Sequence, residues 1–151
     1  MIDLQKDVLM EKRIGDLLVP SERVAHVQIG NNLEHALLVL TKSGYTAIPV
    51  LDPKYKLHGL ISSPLILDSI LGIERIEFEK LENIPVEQVM KKDIPKLHVN
   101  DSLNKGLKLL INHPFICAVD KDGYFEGILT RRIVLKQLSG LLHRLDIQFL
   151  D

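Results

Sequence analysis

Phe125-Glu126-Gly127-Ile128-Leu129-Thr130-Arg131-Arg132-Ile133-Val134-Leu135 reads as an apolar strand that stops at a hydroxyl residue and turns at once into a helix opening with two arginines. The unpaired N–H groups of a first helical turn, joined by two guanidinium forks, make a place for a phosphate. An earlier copy of the phrase, His58-Gly59-Leu60-Ile61-Ser62-Ser63-Pro64-Leu65-Ile66-Leu67, has Ser63 and Pro64 where the arginines stand. The chain is therefore read as two versions of one unit, of which only one carries the charge.

Working outward, the flanking patterns recur in the same order. Ile2 to Leu18 has helical spacing until Pro20-Ser21-Glu22 breaks it, and Val24, Val27 and Ile29 form a short β-prone segment. Asn31 is the predicted cap, with Glu34 three residues on, of a helix carrying Leu33, Ala36, Leu37 and Leu40 and ending near Gly44. A strand over 46–51, a turn over 52–55, a strand over 57–61 and a helix from Pro64 to Leu71, stopped by Gly72, complete the first series. The second series opens with Val86, Val89 and Met90. It continues with a strand over 96–99, Asp101 as cap and a helix bearing Leu103, Leu107 and Leu110. Strands over 116–119 and 125–129 and a helix over 131–138, stopped by Gly140, close it. Leu33 recurs as Leu103, an offset of 70 (103 − 33), and Gly59 as Gly127, an offset of 68 (127 − 59). Such a duplication predicts two units too small to bury their sheets alone. The boundaries are an N-terminal helix over 1–13, repeats over 14–72 and 86–140, a charged surface connector over 73–85, and a helical tail over 141–151.

The bulk numbers bound the function. At 151 residues, 46% hydrophobic and 26% charged, the chain has the composition of a globular protein with a core. A net charge of −1 argues against a nucleic-acid role driven by a basic surface. No run approaches the ~18 apolar residues of a membrane span, and the first residues lack the basic and apolar regions of a secretory signal, so a cytoplasmic protein is expected. The single cysteine, Cys117, lies in an apolar run and reads as core, as do Met90 and Phe115. Six histidines show neither a His-x-x-x-His pair nor an acidic partner at ligand spacing, so no metal is expected. No nucleophile elbow, phosphate-loop lysine motif or carboxylate pair is present, and the chain is not expected to be an enzyme.

The βαββα order, the Gly44-Tyr45-Thr46-Ala47-Ile48-Pro49-Val50 stretch and the paired Gly-x-x-Ser/Thr phrases resemble a tandem CBS domain pair, also called a Bateman module, over about residues 14 to 140. The resemblance implies an α+β fold of two βαββα repeats packed through their sheets with pseudo-two-fold symmetry. It also implies adenine-nucleotide sites between the repeats and pairing into a homodimer. Carried over by residue, one cleft takes Arg23, Val24, Ala25, Tyr45, Thr46 and Ala47 together with Thr130, Arg131 and Arg132. The other takes Leu97, Pro114 and Phe115 with Ser62, Ser63 and Pro64. Only the first offers guanidinium groups, and a buried phosphate left unpaired costs several kcal/mol, so one anionic ligand per chain is expected there.

Members that bind AMP or ATP usually carry an aspartate three residues after the Ser/Thr, on the ribose hydroxyls. Here those positions are Leu65 and Ile133. A cyclic dinucleotide, whose 3′ oxygens are tied into phosphates, needs that hook less. The pattern is similar to the small stand-alone cyclic di-AMP-binding CBS proteins of Gram-positive bacteria. That resemblance implies cyclic di-AMP as ligand, no cofactor, and regulation by contact with partners that prefer the ligand-free form, such as a (p)ppGpp synthetase/hydrolase and pyruvate carboxylase. Bland readings stay open beside it: a solvated helix start for Arg131 and Arg132, an exposed loop for Arg23, core packing for Tyr45, and a helix cap for Thr130. So do two rival functions, an AMP/ATP-sensing module and an adaptor whose clefts stay empty.

Overall fold

The computed structural model describes residues 12–150, with side chains through 145. The helix expected over 1–13 therefore lies, but for its last two residues, outside the described residues. Contacts divide the chain into two compact units, one of residues 24–94 and 123–125, the other of 1–23, 95–122 and 126–151.

The unit of residues 24–94 holds a three-stranded sheet in the order β2-β3-β4, of Val27–Gln28, Ala47–Leu51 and Leu57–Ser62. β2 runs parallel to β3 and β3 antiparallel to β4. Helices α1 (Leu33–Ser43) and α2 (Ser63–Ser69) pack on it. Leu33, Ala36 and Leu40 of α1, Ile48 and Val50 of β3, Ile61 of β4 and Ile66 of α2 form one buried cluster. A fully buried aliphatic side chain contributes roughly 1.5–3 kcal/mol, so the helical and strand periodicities meet in this core.

The other unit carries a four-stranded sheet in the order β1-β7-β6-β5, of Val19–Pro20, Phe125–Thr130, Phe115–Val119 and Lys96–His98. Its helices are α3 (Leu103–Leu110) and α4 (Arg131–Leu150). Ile14, Leu97, Leu103, Ile116 and Leu129 are its buried centre. The repetition read from the sequence holds at atomic detail: the pattern of buried and exposed residues over 31–40 recurs residue for residue over 101–110.

The opening segments are exchanged between the two series, each lying in the unit of the other's sheet. Ile14–Asp16, at the head of the first series, forms a single 3₁₀ turn whose Ile14 and Gly15 N–H groups donate to the Asp101 and Val99 carbonyls at 3.0 and 2.9 Å. Val86–Gln88, at the head of the second, is likewise a 3₁₀ turn, with the Val86 N–H on the Asn31 carbonyl at 2.8 Å. Each turn thus covers the sheet of the other series. The helical spacing predicted for Ile14–Leu18 gives only this turn, because its N–H groups are spent on the neighbouring loop.

The same crossing explains the glycine of each Gly-x-x-Ser/Thr phrase. β1 pairs antiparallel with β7, Pro20 opposite Gly127, and an isolated bridge joins Leu60 to Lys91. A Cβ on Gly127 would lie 2.2 Å from the Val19 oxygen, and one on Gly59 2.5 Å from the Lys91 oxygen.

Two caps differ from the sequence reading by one residue. The Asn32 and Ser102 side chains, not Asn31 and Asp101, cap α1 and α3, accepting from the His35 and Lys105 N–H groups. Asn31 and Asp101 instead close the preceding turn, each accepting from the N–H three residues back, Gln28 at 2.8 Å and His98 at 2.8 Å. Burial works against the charge of Asp101, yet the His98 N–H and the Lys105 ammonium hold its carboxyl below the ordinary value. The helix expected to stop at Gly140 runs on to Leu150. Gly44 does end α1, with φ of 77°, whereas Gly140 has no such left-handed backbone and sits within α4 at a cost of ~1 kcal/mol relative to alanine. The connector is mostly exposed, with one 3₁₀ turn at Phe78–Lys80 and the Leu81 side chain buried.

Cys117 is buried in β6, and burial pushes its thiol up to about 12. A thiol-exchange reagent should leave the folded chain unlabelled and label one group per chain once guanidinium unfolds it. Labelling of the native protein at the unfolded rate would contradict the placement.

Candidate functional site

The junction between β7 and α4 is built by Thr130. Its hydroxyl accepts the Ile133 N–H at 3.0 Å and so caps the helix. The next N–H, of Arg131, donates to the Pro114 carbonyl at 3.1 Å, fixing the helix start to the head of β6. The Arg131 guanidinium then turns back: Nε donates to the Leu110 carbonyl at 2.8 Å and Nη2 to the Ile111 carbonyl at 3.1 Å. A cation at the N-terminus of α4 opposes that helix's dipole, but the same group sits on the C-terminal carbonyls of α3, where the dipole favours it by ~0.3–1 kcal/mol. Arg131 is therefore stabilised without an anion, with two of its N–H donors engaged. Arg132 is exposed and makes no hydrogen bond or ion pair with the described residues.

The other series repeats the junction without the charge. The Ser62 hydroxyl caps α2, accepting from the Leu65 N–H at 3.3 Å. The Ser63 N–H donates to the Thr46 carbonyl at 3.2 Å, and Ala47 stands in register with Ser62. Thr46 and Ala47 thus lie beside Ser62 and Ser63, an adjacency that the division into two clefts does not convey. β3 begins at Ala47, so Tyr45 and Thr46 precede it, in the exposed turn that follows the left-handed Gly44. The Tyr45 N–H donates to the Ser43 hydroxyl at 3.3 Å, and the residue is 38% exposed rather than part of the core.

Val24 is buried, and its carbonyl lies 3.2 Å from His26 Nδ1. Ala25 packs on the edge of the first core. The His26 ring stands edge-on against Tyr55, centroids 5.3 Å apart. Tyr55 has a left-handed backbone, φ 71°, rare for a bulky residue. Arg23 ends the exposed 3₁₀ turn Ser21–Arg23. By contacts, Val24, Ala25, Tyr45, Thr46 and Ala47 belong to one unit, and Arg23, Thr130, Arg131 and Arg132 to the other.

Leu65 and Ile133 donate their N–H groups to the capping hydroxyls, so both helices carry an apolar side chain three residues after the cap. Among the described residues no group of three or more His, Cys, Asp or Glu could hold a metal ion, and no helix is long and apolar enough to cross a membrane.

Comparison with known proteins bears directly on this arrangement. The CBS domain pattern matches residues 14–72 and 86–140. The chain is 58% identical over 146 residues to cyclic di-AMP receptor B of Bacillus subtilis, covering 97% of this chain and 99% of that protein. Among solved structures, a CBS domain-containing protein of Bacillus anthracis superposes with a TM-score of 0.83 at 67% identity, over 89% of this chain and 98% of that one. The Listeria monocytogenes CbpB protein, solved in complex with c-di-AMP, superposes with a TM-score of 0.81 at 56% identity, over 86% of this chain and 97% of that one. With both repeats matched over most of its length, the chain belongs to the CBS domain family as a tandem pair.

Proposed function

We propose that this chain is a non-enzymatic cytoplasmic receptor for cyclic di-AMP. Arg23, Val24, Ala25, Tyr45, Thr46 and Ala47 would supply one part of the site, and Thr130, Arg131 and Arg132 the other. The observation that carries the reading is the 58% identity to a cyclic di-AMP receptor over nearly the full length of both chains. Local chemistry supports it. Cations gather at one of the two equivalent junctions, the exposed Arg132 is left over for a phosphate, and Leu65 and Ile133 leave no carboxylate for a free ribose diol. Thr46 and the Tyr45 ring suit a base, and the small Ala25 lets backbone approach one.

The receptor works by linkage. A protein partner, of the kind of a (p)ppGpp synthetase/hydrolase or pyruvate carboxylase, binds the empty homodimer, and ligand and partner weaken each other by the same factor. Calorimetry should give one strong site per chain for cyclic di-AMP and at least ~30-fold weaker binding of AMP and ATP, the loss of about 2 kcal/mol. Ligand at 100 times its dissociation constant should add ~2.7 kcal/mol of stability, visible as a raised melting temperature. AMP binding as tightly as cyclic di-AMP would overturn the assignment.

A further inference from the structure

Residues 71–78 present an apolar surface that the fold does not use. Leu71 and Ile76 form an antiparallel bridge. The Gly72 N–H donates to the Arg75 carbonyl at 2.8 Å and the Glu77 N–H to the Ile70 carbonyl at 2.7 Å, so the turn between them is a fixed projection. Ile73 at its tip is fully exposed, and Leu71 and Phe78 are each more than half exposed. Covering such side chains would contribute roughly 25 cal/mol per Å². The surroundings are acidic: Asp68, Glu74, Glu77, Glu79 and Glu82 outnumber Arg75 and Lys80. Both cations are paired within the segment, Arg75 to Glu79 and Lys80 to Glu77, which leaves Asp68, Glu74 and Glu82 as the acidic groups without an ion pair among the described residues.

The opposite character is found on α4. At ~100° per residue, Leu135, Leu138 and Leu142 share one stripe, all exposed, and Arg132, Lys136 and His143 follow along one flank. The stripe lines a groove of about 510 Å³ together with Ser139 and His143. From residue 127 to 145 there is no acidic side chain, while Arg131, Arg132, Lys136 and Arg144 are all basic.

We infer that the 71–78 projection of one copy seats in the α4 groove of a second copy, its apolar tip on the leucine stripe and its acidic surroundings against Lys136 and His143. The occupant is a second copy because the complementary surface, apolar and of opposite charge, lies on this same chain. In a two-fold pair every copy presents both surfaces, so the contact is made twice. The inference rests on the homodimer reading above and adds to it the faces used.

Sedimentation equilibrium of the full chain tests it with Ile73→Glu and, separately, Leu138→Glu. Ile73 is fully exposed and Leu138 substantially so, and an unchanged melting curve would verify the fold. Each variant should raise the dimer dissociation constant at least tenfold. Mixing Ile73→Cys chains with Leu138→Cys chains under mild oxidation should give a disulfide-linked pair that neither variant forms alone, Cys117 being buried. A dimer indifferent to Ile73→Glu, with no mixed disulfide, overturns the contact and leaves the homodimer standing. A chain that stays monomeric at all tested concentrations overturns both.

Discussion

Replacing Gly127 by alanine should destabilise the protein by about 4 kcal/mol, the sum of an overpacking cost of ~1–3 kcal/mol and a comparable cost for a strained backbone. The new Cβ would lie 2.2 Å from the Val19 oxygen and 3.1 Å from the Val19 carbonyl carbon, while φ of 151° is itself hard for an L side chain. No rotamer relieves the clash, because the obstacle is the backbone of β1, and moving β1 would break its pairing with β7. Gly123→Ala is the control. It has φ of 89° but nothing within 4 Å of the added carbon, so only the conformational cost of ~1 kcal/mol applies. At ~2–4 °C per kcal/mol for a chain of this size, the two should melt several degrees apart, with Gly127→Ala far below wild type. Equal losses in urea titrations of the two variants would mean that β1 does not cross where described.

Arg132→Met should lower cyclic di-AMP affinity by about 100-fold while leaving the melting temperature unchanged, since a hydrogen bond to a charged group is worth ~1.5–3 kcal/mol and Arg132 has no partner among the described residues to lose. Arg131→Met should behave differently. Its guanidinium holds the Leu110 and Ile111 carbonyls, so stability falls by ~1–3 kcal/mol even with no ligand present. Calorimetry and thermal melts on the two variants separate a residue that serves only the ligand from one that also ties two helices together. Should Arg132→Met bind as wild type does, the phosphate role of that side chain is lost. Should Arg131→Met melt as wild type does, its bonds to α3 contribute nothing.

The duplication was legible because it is written in spacing: Leu33 and Leu103, Gly59 and Gly127 fix two series whose elements form where their periodicities place them. The Ser/Thr-to-helix phrase also fixed both junctions, and Thr130 and Ser62 do cap their helices. What the spacing could not carry was competition for hydrogen bonds. Asn31 and Asp101 were as good caps on paper as Asn32 and Ser102, and only the turn three residues back decides between them. Gly140 and Gly72 looked like Gly44, but a glycine stops a helix only where the backbone turns left-handed, and nothing in the residue type dictates that. Gly72 has no such backbone, and α2 already ends at Ser69. Arg131 and Arg132 looked like a pair. Their division into one arginine bonded to α3 and one with no partner among the described residues depends on where the last carbonyls of α3 lie, a tertiary fact absent from local sequence.

The exchange of the opening turns has a consequence for any fragment of this protein. A piece cut at the first repeat's own borders keeps Ile14, which belongs on the other sheet, and loses Val86, which closes its own. Such a fragment would have to borrow the missing turn from a sister molecule. A single-repeat ancestor would therefore have been viable only as an interlocked pair, and joining the two halves in one gene would have made that partnership permanent.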